Sequence, residues 1–231
     1  MSLKLHLIIF STFLVLLSCK KKQTDLEFEQ SVAYEIFPIL LDSVHTDRRL
    51  TPDLPIPPPP PLNWEETDSI DNNFKINDSS VFIAAFDKRK LELEKDTTKL
   101  VVAIVDSTYR IDERAKKELI DFYKEYAIDL DTIKNDIPYR INISDLKHHK
   151  KFKLKYRSEL PATSKVWKEN YNFYLSGITG FSRIQFDLTK NYGVLLSGFG
   201  CGRLCGFSGL VFIRKVNGKW IIDKIKITSI S

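Results

Sequence analysis

The sequence predicts an α+β fold, with helices in its N-terminal part and an antiparallel meander of about four strands at its C-terminus. Three observations predict it. Asn217-Gly218 stands between two apolar runs, and Asn-Gly at such a place is the strongest short hairpin cue, because both positions must take positive φ. The four strand-like runs Phe181–Asp187, Tyr192–Gly200, Leu210–Val216 and Lys219–Ile230 fill the last fifty residues and are divided by turn residues. Ahead of them, two stretches carry helical rather than strand spacing, which segregates helices from strands.

From the N-terminus, Lys4 precedes an apolar run, Leu7–Leu17, of 11 residues. As a helix this run reaches about 16 Å, far short of a hydrocarbon core of about 30 Å. A basic start, a short apolar core and a small residue before the break make residues 1–18 a secretory signal rather than a membrane span. Residues 25–48 form a helical segment: Leu26, Val32, Ile36, Ile39, Leu40 and Val44 fall near one stripe. Pro38 lacks an N–H and clashes with the preceding turn, so two short helices are expected to meet there. Residues 49–80 are a Pro-rich and polar linker, in which the run Pro57–Pro61 holds polyproline II as a stiff spacer.

The folded domain is expected over 81–231. Leu100–Val105 is continuous and rich in β-branched residues, the pattern of a buried strand. Asp112 is placed to cap a helix from Glu113 to about Ala127, with Ala115, Leu119, Phe122, Tyr123 and Tyr126 on one face and a Glu113–Lys117 pair on the other. Phe152, Leu154 and Tyr156 alternate with Lys151, Lys153, Lys155 and Arg157, the period of a half-buried strand.

Leu16-Leu17-Ser18-Cys19 resembles the lipobox of bacterial lipoproteins. That resemblance implies cleavage before Cys19 and lipidation of Cys19, so that residues 19–24 form a lipidated basic tether. Two or more acyl chains hold a protein stably at a membrane, and Lys20, Lys21 and Lys22 would face anionic head groups. The expected location is the cell envelope, on the periplasmic side of the outer membrane, since the familiar inner-membrane retention signal by resemblance is Asp where this chain has Lys20. Removing the signal takes away Lys4 alone, so the formal charge falls from +5 to +4, too mild for a nucleic-acid-binding balance. The expected partners are the membrane, through Cys19, and an unknown envelope protein or ligand, with no nucleic acid.

Helices followed by a meander whose last strands carry "NGKW" (Asn217–Trp220) resemble the cone-shaped fold of the nuclear-transport-factor-2-like superfamily. The pattern "FSRIQF…CGRLCG…GKWII" is also similar to uncharacterised Bacteroidota envelope lipoproteins, a group that brings no known activity.

Chemistry-bearing residues are few. Cys201 and Cys205 lie in the bend between two predicted strands, and an oxidising compartment favours a disulfide there. A thiolate nucleophile, a zinc site with His148 and His149, and a redox pair are the alternatives, each short of a needed neighbour or spacing. Gly198, Gly200, Gly202, Gly206 and Gly209 lack the following helix of a phosphate loop and are expected to supply positive φ and room around the bend. Arg203 at the tip, with the row Lys151, Lys153, Lys155 and Arg157, is a candidate anion-binding set, for lipid head groups or an acidic protein, against the alternative of a solvated sheet face. No catalytic constellation, metal-ligand spacing or cofactor motif is present in the sequence. The stiff spacer motivates the expected function, because a tether is useful when a domain must reach something: a membrane-anchored binding or interaction module, with a small-substrate enzyme or ligand-binding domain as the alternative. The space between the sheet and the helix near Leu119 separates them: a closed apolar core fits the first, a polar-lined cavity the second.

Overall fold

The structure is a computed structural model and describes residues 23–50, 79–96, 98–132, 137–146 and 151–231. Its elements, in chain order, are α1 (Asp25–Val44), α2 (Ser79–Glu94), β1 (Leu100–Ile104), α3 (Glu113–Phe122), β2 (Phe152–Tyr156), β3 (Leu175–Phe181), β4 (Gln185–Phe186), β5 (Tyr192–Gly202), β6 (Cys205–Val216) and β7 (Lys219–Ile230). The fold is α+β. One sheet of seven strands runs β2-β1-β3-β5-β6-β7, with β4 paired to β5. It is larger than the four-strand meander expected, and β1 pairs in parallel with both β2 and β3.

α1 is a single helix, not two. Thr24 caps it reciprocally with Glu27: the Glu27 N–H donates to Thr24 Oγ1 at 3.1 Å, and the Thr24 N–H to Glu27 Oε2 at 2.8 Å. It passes through Pro38 because its buried positions, Val32, Ala33, Ile36, Phe37, Leu40, Leu41 and Val44, repeat every four residues on both sides of the proline. Burying those side chains outweighs the roughly 3 kcal/mol an interior proline costs. Leu26 and Ile39, placed on the stripe by sequence spacing, are exposed instead.

Those α1 side chains share one core with Leu100, Val102 and Ile104 of β1, Phe152 of β2, Phe181 of β3, Leu195 and Phe199 of β5, and Val211 and Ile213 of β6. The folded body therefore includes α1, and the segment 51–78, which carries the proline run and lies outside the described residues, joins two parts of that body. The other sheet face carries α3, capped as expected by Asp112 accepting from the Ala115 N–H at 2.8 Å. α3 stops at Phe122, and a 3-10 turn, Lys124–Tyr126, follows. Glu113 pairs with Lys116 rather than Lys117.

β5 shows how one strand serves both layers: Leu195 and Phe199 face α1, while Val194 and Leu196 face α3. β5 and β6 extend to Gly202 and from Cys205, so the expected glycine-rich bend is sheet almost to its tip. Its glycines do not supply positive φ; among the described glycines Gly218 alone does, beside Asn217 in the β6–β7 hairpin that the Asn-Gly cue predicts.

Candidate functional site

The most varied chemistry gathers at the end of the body where α1 finishes. His45, the residue that caps α1, places Nε2 2.6 Å from Ser176 Oγ. Ser176 can meet it because β3 has an irregularity there: Val101 pairs with Leu175 but Val102 with Gly177, leaving Ser176 as the extra residue. Bulges re-aim a side chain in this way. The imidazole stands edge-on to Phe152 (4.6 Å) and Phe199 (5.6 Å). Burial, and then the Lys151 ammonium, pull its pKa down from 6.5 to about 4, against the opposing pull of Asp47 and Asp42.

Three residues on, Arg48 donates to the Cys201 carbonyl at 3.3 Å, tying the chain after α1 to the β5–β6 hairpin. Arg49 donates to both Asp47 oxygens, at 3.0 and 2.9 Å, to Asp96 at 2.8 Å, and lies 5.5 Å from the Tyr174 ring centroid. Burial raises the Asp47 pKa, but those Arg49 bonds outweigh it and hold the carboxyl below its usual range. Asp47, Arg49, Lys90, Glu94, Asp96 and Lys151 line a cleft of about 580 Å³ beside α2.

Sequence reading found no Ser–His pair, because His45 and Ser176 are 131 residues apart and no spacing rule joins them. Their contact clamps the end of α1 to β3. Ser176 is only 3% exposed, and Asp47, which acts on His45 together with Asp42, has both oxygens engaged by Arg49.

The clamp makes stability depend on pH. His45 is held neutral in the fold, so the unfolded chain binds the extra proton between pH 6.5 and about 4. Stability from this group is complete above pH 6.5, falls as pH drops toward 4, and is flat below. After discounting for solvent screening at a half-exposed site, the loss is roughly 1–2 kcal/mol. The His45→Gln variant, which keeps a hydrogen-bonding partner for Ser176, is expected to lack this increment when urea denaturation is compared at pH 7 and pH 4.

The cations singled out in the sequence do not converge. β2 is an edge strand, where lysines discourage pairing with another chain. Lys151 lines the cleft, Lys153 is exposed, Lys155 pairs with Glu159 at 2.8 Å, and Arg157 donates to the Leu160 carbonyl at 3.2 Å. Arg203 is exposed at the β5–β6 tip, three strands or roughly 14 Å across the sheet from β2. Cys201 and Cys205 sit in that hairpin with their Cα atoms 5.1 Å apart and their sulfurs at disulfide distance. Cys19, His148 and His149 lie outside the described residues. Among the described residues no group of three or more His, Cys, Asp or Glu could hold a metal ion.

Beneath α3 the packing is closed. Ala115, Leu119 and Tyr123 meet Val194, Leu210 and Phe212, and Phe122 stacks on Phe212 at 4.2 Å. The same sheet face opens next to this, into a cleft of about 510 Å³ lined by Tyr109, Ile178 and Ser208 among others. Its floor is backbone: Gly180, Gly198, Gly200 and Gly206 carry no side chains, and a Cβ added at Gly200 would meet nothing closer than 3.9 Å.

No protein-family model, no curated protein and no solved structure matches this chain.

Proposed function

We propose that this protein is a lipid-anchored envelope protein, fixed to the membrane through Cys19, that works as an interaction module. The observation that carries the reading is where α1 begins and ends. Its cap, Thr24, stands five residues after Cys19, and the helix then runs 20 residues, about 30 Å, to the end that bears the cleft and the β5–β6 hairpin. A lipid on Cys19 would hold the start of α1 near the bilayer, with that other end a helix length away along the body. There Leu204, 90% exposed, and Arg203 form a tip braced by Cys201 and Cys205, which we take to be disulfide-bonded. A rigid tip with one apolar and one guanidinium side chain is suited to a protein partner. The closed core under Leu119 supports a binding module over a pocket enzyme.

Two measurements test this. The Cys19→Ala variant is expected to leave the membrane fraction or stay unprocessed, and its pelleting at normal mature size would sink the anchor. A photo-crosslinker at Leu204 in native envelopes is expected to give a discrete adduct that Arg203→Glu weakens. The same crosslinker at Ile120, exposed on α3, serves as control. Equal, diffuse crosslinking at both positions would remove the tip from the reading.

The glycine-floored cleft favours a second reading, a small-ligand site. Gly200→Leu fills that space without touching the core, so loss of ligand binding with unchanged melting would identify it.

A further inference from the structure

We propose that the end of the body where α1 begins docks directly on an anionic bilayer surface, so that the anchored protein stands upright instead of swinging on its lipid. This rests on the Cys19 reading above.

Three exposed apolar side chains and an exposed tyrosine stand on segments tied to that end. Leu26 lies on the first turn of α1. Leu188, 61% exposed, belongs to the β4–β5 turn, whose Lys190 pairs with Asp25 at the start of α1. Ile137, 78% exposed, is held by Arg183, which donates to its carbonyl and to Glu29 in the second turn of α1. Tyr126 packs on Tyr192 at the start of β5, ring centroids 5.2 Å apart. Contacts tie all four to the two ends, α1's start and the β4–β5 turn, that face one another.

Cations share the same end with the exposed acids Glu27, Glu125 and Asp129, so its charge is mixed. The Lys215 N–H donates to the Asn191 carbonyl at 2.8 Å, which brings Lys215 to the β4–β5 turn, and Lys219 stands across the β6–β7 hairpin. Apolar residues that enter the head-group layer, a tyrosine at its level and lysines toward anionic lipid are the components of an interfacial surface. The chain before the body decides the occupant. Cys19 precedes Thr24 by five residues, which span at most about 17 Å even when extended. An acyl group on Cys19 cannot keep this end far from the head groups.

The test uses full-length lipidated protein in phosphatidylglycerol-containing vesicles with brominated acyl chains. Leu188→Trp and, independently, Leu26→Trp are reporters, and Leu204→Trp at the opposite end is the control, each read against the parent chain. Mass spectrometry of the same sample establishes the lipid on Cys19. Quenching at Leu188→Trp and Leu26→Trp about twofold or more above Leu204→Trp is expected for side chains entering the head-group and acyl boundary. With lipid present and the protein floating with vesicles, equal quenching at all three positions overturns docking and leaves the anchor standing. Reporters shielded from both brominated lipid and aqueous iodide would show that another protein chain covers this end, which also overturns it. An unlipidated chain that does not float refutes the anchor, and docking with it.

Discussion

A fragment spanning Ser79–Ser231 is expected not to fold. It keeps every strand but lacks α1, whose Val32, Ile36, Phe37, Leu40, Leu41 and Val44 are each at most 3% exposed in the core shared with the sheet. At about 1.5–3 kcal/mol for each buried side chain of this size, roughly 10 kcal/mol or more is lost. Native domains hold about 5–15 kcal/mol in all, so little or nothing remains. The uncovered face of β1, β3, β5 and β6 would also be a long apolar surface, prone to aggregate. Near-ultraviolet circular dichroism and urea denaturation check this against Gln23–Ser231, which should unfold cooperatively. A cooperative transition in the shorter fragment would show that α1 is an appendage.

Arg183→Met is expected to destabilise by about 3–5 kcal/mol, and by roughly 10 °C in a thermal melt. Glu29, 1% exposed, lies on α1 and receives Arg183 Nε at 2.8 Å and Nη2 at 2.7 Å, with the Ile184 N–H at 2.9 Å on the same carboxylate. Arg183 also donates to the Ile137 carbonyl and lies over the Tyr139 ring. Removing the guanidinium leaves a carboxylate inside the core with one backbone donor. The double variant Glu29→Met with Arg183→Met removes both charges and is expected to recover much of the loss, because desolvating the pair cancels most of its attraction. If the single and double variants melted alike, the pair would be acting through packing alone. The pair also ties α1 to the segment between β3 and β4, which backbone bonds to Leu196 and Tyr109 hold in turn.

Elements with local causes were legible in the sequence. Asp112 caps α3 because its carboxylate reaches a donor three residues ahead, and Asn217-Gly218 turns β6 into β7 because only those φ values close the hairpin. β1 and β2 were legible as strands from their composition and alternation, but not as partners. Their parallel pairing spans about fifty residues, with no turn to announce it. β3 was missed for a related reason: Leu-Ser-Gly-Ile-Thr-Gly-Phe carries two glycines and a bulge, so no period survives in it. Pro38 misled because backbone propensity says stop, whereas the four-residue repeat of buried side chains around it, set by the sheet beneath, says continue.

The same division holds for the candidate sites. Cys201 and Cys205 were legible because four positions of separation in a hairpin leave little else for them to do. The cation row of β2 was legible as charge but not as chemistry, since Glu159 and the Leu160 carbonyl engage two of its members only after the chain turns. His45 with Ser176, and Glu29 with Arg183, join residues 131 and 154 positions apart, and nothing local in either member points to the other. By itself the sequence determined the fold class, from its patterns of period, and the Asp112 cap and the Asn217-Gly218 turn, each set within a few residues of chain. Tertiary structure alone decided that the apolar stripe of α1 shares one core with the sheet, that the sheet has seven strands with a parallel half, and which charges are buried, because those depend on surfaces that meet only when distant segments pack.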